Sequence, residues 1–158
     1  MSTIQPFTIN VPEAKLQDLK SRLAQTVLPS EVESHGWTAG PTGAYVRSML
    51  ERLKTSYDWR AHEAAINQHP QFTTEIDGQQ IHFIHVKSAE KNATPLLLIH
   101  GWPGSIVEFL GVIGPLTNPR AHGGKASDAY DVVIPSLPGF GFSGPTREAG
   151  WNLSLIHI

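Results

Sequence analysis

Residues 95–105, Pro95-Leu96-Leu97-Leu98-Ile99-His100-Gly101-Trp102-Pro103-Gly104-Ser105, constrain the fold more than any other stretch of this chain. The apolar run shows no alternation, the pattern of a strand covered on both faces, as in a parallel sheet. It leads directly into a glycine-rich turn. Ser105 and Glu108 then stand three apart ahead of Ile106, Phe109, Leu110 and Ile113, which reads as a capping box opening an amphipathic helix. Residues 131–135 repeat the buried-strand signature, so strand, helix and strand form a right-handed crossover unit. Upstream, the β-rich runs 72–76 and 79–86 flank Asp77-Gly78. That dipeptide tolerates positive φ at both central positions of a type I′ turn and predicts a hairpin. Hairpin first and crossover second imply a mixed sheet with an antiparallel start.

The first 70 residues have a different texture. Leu16, Leu19, Leu23 and Val27 recur at helical spacing behind Pro12, which suits a first helical turn. Pro29, Gly36, Gly40, Pro41 and Gly43 mark an irregular connection. A second helix carries Val46, Met49, Leu50, Leu53 and Tyr57 on one stripe. Asp58 is suited to cap a short third helix over residues 59–67, stopped by Pro70. The chain therefore divides into a helical segment, 1–70, and an α/β segment, 71–158. Three amphipathic helices in that space serve either a small bundle or a cover for something larger.

Composition narrows the function classes. Twelve basic and 14 acidic residues leave a net charge of -2, and the basic residues are scattered, so no footprint for nucleic acid or an anionic membrane exists. There is no cysteine, which excludes disulfides, thiolate nucleophiles and Cys-type zinc sites. The opening residues show neither the basic nor the apolar region of a signal peptide, and no apolar run approaches the roughly 20 residues of a membrane helix. A soluble, cytoplasmic protein is expected.

Two loops could carry chemistry. The turn from His100 to Ser105 follows the first crossover strand, and Pro135-Ser136-Leu137-Pro138-Gly139-Phe140-Gly141-Phe142-Ser143-Gly144 follows the second. In open α/β sheets the space beyond the strand ends is where ligands bind. Spacing alone is served as well by a plain tight turn and a plain Gly/Pro loop. Other residues are weaker. Ser105 resembles a nucleophile but fits its capping role better. His82 and His85 stand three apart on a strand, face opposite ways and cannot share a metal. The remaining histidines read as surface residues. Gly123-Gly124-Lys125 lacks the flanking residues of a phosphate loop and reads as a flexible tip. Trp37, Trp59 and Phe72 fit core packing better than a substrate tunnel.

The pair HGWPGS and PSLPGFGFS, with FTTEIDGQQIHFIHV and the block containing Trp37 and Tyr57-Asp58-Trp59, closely resembles the microsomal-type epoxide hydrolases over residues 5 to 152. The resemblance implies an α/β-hydrolase fold: a helical N-terminal segment followed by the first strands of a mixed sheet. It implies that Trp102 supplies a backbone N–H to an oxyanion hole, with His100, Gly101 and Pro103 holding that peptide, and that Trp102-Pro103 is cis. It implies a small-molecule epoxide as substrate, hydrolysed to a vicinal diol with no metal and no organic cofactor. In the family reaction an Asp opens the epoxide while lid tyrosines hydrogen-bond its oxygen, and a His–acid pair activates water to hydrolyse the resulting ester. It also implies the strand order hairpin, second crossover strand, first crossover strand, with the last on an open edge that favours self-association.

This sequence departs from the family where the nucleophile elbow should follow. No G-x-S-x-G occurs, and Asp128 and Asp131 precede a strand instead of ending one. Leu153-Ser154-Leu155-Ile156-His157-Ile158 does not resemble the family's next helix and is read as a truncation or misjoined frame. Three readings remain open at this stage: part of an epoxide hydrolase, an inert or accessory fragment, or a related hydrolase such as a dehalogenase or serine esterase. The 158-residue chain alone is expected to form no diol from styrene oxide above a buffer control; any excess diol would refute the truncated reading.

Overall fold

A computed structural model describes residues 3–30, 36–38 and 40–151. The chain forms two compact units, Asn10–Glu63 and a second made of Met1–Ile9 with Ala64–Ile158. The tail 153–158, whose family likeness fails in the sequence, lies outside the described residues.

The Asn10–Glu63 unit contains α1 (Glu13–Ala24), α2 (Gly43–Thr55) and most of α3 (Trp59–Ile66). Thr42 Oγ1 accepts the Tyr45 N–H at 3.2 Å to cap α2. Asp58 caps α3 as expected, its Oδ1 accepting the Arg60 and Ala61 N–H groups at 2.9 and 3.3 Å. Neither α1 nor α2 buries a residue fully, and Met49 and Leu53 remain 39% and 42% exposed. Two sequence expectations fail here. Val27 lies beyond the end of α1 and is 90% exposed, so it is no part of the apolar face. Trp37 is 62% exposed and leans on Tyr45, so it is not core. What ties this unit together is polar: the Glu63 carboxylate accepts hydrogen bonds from Val11 N–H (2.7 Å), the Trp59 indole (3.2 Å) and Arg60 (2.6 Å), and Arg60 also reaches Glu13 at 3.1 Å. The Val11 N–H and Arg60 hold Glu63 below the usual carboxylate range.

The second unit is built on a five-stranded sheet of order β1-β2-β3-β5-β4. Its strands are β1 (Gln5–Phe7), β2 (Gln71–Ile76), β3 (Gln79–Val86), β4 (Thr94–Leu97) and β5 (Tyr130–Pro135). The hairpin between β2 and β3 turns through Asp77 (φ 49°) and Gly78 (φ 77°), both left-handed as a type I′ turn demands. β3 pairs antiparallel with β5, and β5 pairs parallel with β4, which reproduces the expected order. The helix between β4 and β5 begins as a 3-10 turn, Ile106–Phe109, and continues as α4 (Leu110–Thr117), burying Ile106 and Ile113. Ile84, Val132 and Ile134 are wholly buried at the centre of the sheet.

Three features differ from expectation. β1 was not foreseen; it pairs antiparallel with β2, placing Pro6 opposite Phe72 on an edge strand, where proline is tolerated. β4 is shorter than the apolar run and is not covered on both faces, since Leu97 is 57% and Ile99 39% exposed. Among the described residues β4 pairs only with β5. Finally, His82 is not a bystander; it has no exposed surface and is the centre of a polar cluster.

That cluster can be assigned proton by proton. Ile9 N–H can only donate, so the Asn67 atom that it meets at 2.9 Å is an oxygen, Oδ1. Gln71 therefore points its Nε2 to Asn67 Oδ1 (3.0 Å) and its Oε1 to His82 Nε2 (3.0 Å). His82 carries its proton on Nε2, and its Nδ1 accepts the Ser136 hydroxyl at 2.9 Å. Phe7 and Phe142 pack edge-on against the same ring, at 4.9 and 5.2 Å between centroids.

Burial lowers the pKa of His82 from 6.5 to about 4. The unfolded chain then binds this proton below pH 6.5 while the folded chain does so only near pH 4, so stability falls with pH across that window. Full loss amounts to about 3 kcal/mol. His69, also lowered by burial, adds in the same sense, and Glu63 and Glu13 contribute only below their usual range. Urea unfolding of the chain from pH 7.5 to 4.5 should show this decline, and His82→Gln, which cannot titrate, should flatten it. Parallel slopes for both proteins would show that His82 is not the group responsible.

Candidate active site

β4 and β5 run parallel, so the loops that follow them emerge at the same edge of the sheet. The first is the His100–Ser105 turn and the second the Ser136–Gly144 loop. Their closest link is one hydrogen bond: Leu137 N–H donates to His100 Nε2 at 3.1 Å. Because a backbone N–H can only donate, His100 Nε2 is the unprotonated nitrogen. Nδ1 therefore carries the proton and donates to Gly101 O at 3.0 Å. The ring is 3% exposed, and Phe140 of the second loop packs edge-on against it at 5.6 Å. His100 thus ties the peptide before Trp102 to the neighbouring loop.

Trp102 itself is 74% exposed, and Gly101 and Pro103 are exposed beside it. The Trp102-Pro103 bond is cis, as the resemblance implies. Gly104 is required by crowding. A Cβ there would lie 2.6 Å from Gly101 O and would collide with the Glu108 carboxylate. That carboxylate is Ser105's capping partner: Ser105 N–H donates to Glu108 Oε1 at 2.9 Å, and Val107 N–H donates to Ser105 Oγ at 3.3 Å. The Ser105 side chain is therefore spent on the helix start. Pro103, Gly104, Ser105, Val107 and Glu108 line one open depression together with Phe140, so both loops contribute to it.

The second loop is shaped by buried serines. Ser143 Oγ–H donates to Ser136 O at 2.7 Å and itself accepts His82 N–H at 2.8 Å. Gln79 Nε2 donates to Ser143 O at 3.1 Å. Gly139 and Gly141 turn through φ of 83° and 51° to close the loop. Of these residues the sequence reading singled out none as a partner of His100. The available signal was the run of polar residues, Gln71, Gln79, His82, Ser136 and Ser143, at positions bordering apolar strands.

Among the described residues no group of His, Asp or Glu is arranged to hold a metal ion. His82 and His85 do lie on opposite faces; His85 is half-buried against Phe72. Phe72 is half-buried and stacks on Phe83, and Trp59 is half-buried against Glu63. Asp131 accepts Ser88 N–H at 2.8 Å, a structural link before β5's loop and not a nucleophile position. No described helix is long and apolar enough to cross a membrane.

The family model described as epoxide hydrolase N terminus matches residues 4–109, and the alpha/beta hydrolase fold model matches residues 94–154. A Stigmatella aurantiaca protein provisionally named as an epoxide hydrolase is 49% identical over 153 residues, 97% of this chain and 35% of its own length. The structure of an Aspergillus niger epoxide hydrolase superposes with a TM-score of 0.78 at 36% identity, over 92% of this chain and 38% of that one. The juvenile hormone epoxide hydrolase of Bombyx mori gives 0.82 at 32%, over 95% and 40%. This chain thus spans little more than a third of the length of the proteins it matches. By sequence and by fold, the chain belongs to the epoxide hydrolase family and corresponds to its N-terminal part.

Proposed function

We propose that this chain supplies the oxyanion-binding turn and the floor of the pocket in an enzyme that hydrolyses epoxides to vicinal diols. Trp102 provides the donor, and His100, Gly101 and Pro103 hold the peptide that bears it. The observation that carries this reading is the Leu137 N–H to His100 Nε2 bond, which locks the turn to a second loop at the edge where α/β sheets bind ligands. The His100 ring spends its other nitrogen on Gly101 O, so the carbonyl turns inward to the ring and the N–H of the same planar peptide points away from it.

The chemistry assigned to Trp102 belongs to the second half of the reaction. An Asp carboxylate, supplied from outside this segment, attacks an epoxide carbon and gives an alkyl ester. A water deprotonated by a His–acid pair adds to the ester carbonyl, whose oxygen becomes an anion. The Trp102 N–H donates to that oxygen. One such preorganised donor is worth about 3 to 4 kcal/mol of barrier. No metal or organic cofactor takes part in this scheme. The N–H stabilises the tetrahedral intermediate and leaves the first, ester-forming step unaided.

That split makes the reading testable. A chimera in which residues 4–151 of this chain replace the matching segment of the Aspergillus niger enzyme is expected to convert styrene oxide to its diol. Trp102→Pro, which removes the N–H, should slow turnover by roughly 10²- to 10³-fold. Rapid-quench mass spectrometry should then find the alkyl ester accumulating, because only its hydrolysis is impaired. A folded chimera without activity would refute the assigned role of the segment. Unchanged turnover in the Trp102→Pro protein, or loss of ester formation instead of ester hydrolysis, would refute the role of Trp102.

A further inference from the structure

Leu137 N–H, the donor that fixes His100, belongs to the peptide unit whose carbonyl is Ser136 O. That unit is planar, so whatever fixes its oxygen also fixes the direction of its N–H. Ser136 is held at three points. Its N–H donates to His82 O at 2.8 Å, its hydroxyl donates to His82 Nδ1 at 2.9 Å, and its carbonyl accepts the Ser143 hydroxyl at 2.7 Å. Ser143 in turn accepts His82 N–H. Backbone N–H, backbone carbonyl and ring Nδ1 of His82 are thus all spent on the second loop, at Ser136 where it starts and at Ser143 near its end.

The other side of the His82 ring is anchored as firmly. Its Nε2–H donates to Gln71 Oε1, Gln71 Nε2 donates to Asn67 Oδ1, and Asn67 exchanges two hydrogen bonds with Ile9 at 2.9 and 2.8 Å. No buried polar side-chain atom in the described residues lacks a partner. A polar series of this kind, buried at Gln71, His82, Ser136 and Ser143, costs stability where it is broken, since each orphaned buried group keeps its desolvation penalty. An apolar residue at position 82 would still pack against Phe7 and Phe142, but would leave the Ser136 hydroxyl and Gln71 Oε1 without their partner.

We propose that His82 is a positioning residue for the pocket. By holding Ser136 it sets the Leu137 N–H, which sets the His100 ring, which sets the Gly101–Trp102 peptide. The series runs from Ile9, two residues past the end of β1, to the turn bearing Trp102, and His82 is its midpoint. The importance of its last link for catalysis rests on the oxyanion role proposed for Trp102. The mechanical coupling from His82 to His100 does not, and it is tested without turnover.

Two substitutions separate positioning from simple loss of stability. Asparagine can place an oxygen where His82 Nδ1 stands and still accept the Ser136 hydroxyl. Glutamine reaches the place of Nε2 and serves only Gln71. In the 158-residue chain, amide hydrogen exchange at Leu137 should accelerate about tenfold in His82→Gln, relative to Ile84 and Ile134 in the sheet, the loss expected of one hydrogen bond. His82→Asn should keep Leu137 within about twofold of the wild type on the same scale. The ¹⁵N shift of His100 Nε2 should move in the first variant and hold in the second. Ser136→Ala removes a single oxygen and serves if both His82 variants fail to fold; it should behave as His82→Gln does. Equal acceleration at Leu137 and in the sheet, equal behaviour of the Asn and Gln variants, or an unmoved His100 signal in Ser136→Ala would overturn the proposal. In the chimera, Ser136→Ala should lower kcat and leave KM unchanged; failure there alone would count against the role of Trp102 and not against the coupling.

Discussion

The antiparallel pairing of β3 with β5 is the constraint on which the remainder of the sheet unit depends. It joins two parts of different origin, a local hairpin and a crossover unit, through Ile84 opposite Ile134 and Val86 opposite Val132. Those apolar residues are fully buried apart from Val86, so the join is made by the driest part of the protein. With β5 fixed in the middle, β4 has one place to go, alongside it and parallel. Both following loops must then leave at the same edge. The meeting of His100 with Leu137 is a geometric result of that pairing and needs no further design.

Much of this was legible because it is local. Asp77-Gly78 states its own turn, Ser105 and Glu108 state their own helix start, and Asp58 states its cap. The crossover follows from two apolar strands with a helix between them, and the cis Trp102-Pro103 bond from the family likeness. What escaped notice is nonlocal. β1 has three residues, one of them proline, and draws its whole identity from a partner far along the chain. Val27 continues a helical spacing that α1 does not follow, because nothing remains there for it to pack against. The run 96–99 has the composition of a covered strand, yet composition records what a strand is made for and not what lies beside it; in β4 Leu97 is open to solvent.

His82 is the most instructive miss. Spacing placed it correctly on the opposite face from His85, but alternation says nothing about which face is buried when both are. In β3 Ile81, His82, Phe83 and Ile84 are all buried, so a polar ring in that run had to be satisfied from within. Gln71, Ser136 and Ser143 are the satisfying partners, each at a strand end or loop where a lone Ser or Gln attracts no attention. The two buried histidines also carry opposite tautomers: His82 is protonated on Nε2 and His100 on Nδ1. Each is fixed by a partner that can only donate or only accept.

The position of β1 bears on how the chain reaches this structure. Phe7 pairs with Gln71, and the whole Asn10–Glu63 unit lies between them in sequence. Closing an unstructured loop of roughly sixty residues costs about 3 to 4 kcal/mol, more than three residues of edge pairing return. At ribosomal rates of about 5 to 20 residues per second, the strand's partner emerges roughly 3 to 12 seconds after it does. β1 therefore waits until β2 and Asn67 have been made, since Ile9 just beyond it exchanges both of its hydrogen bonds with Asn67. The docking of β1 is thus a late step, one that registers whether the β2–β3 hairpin has already formed.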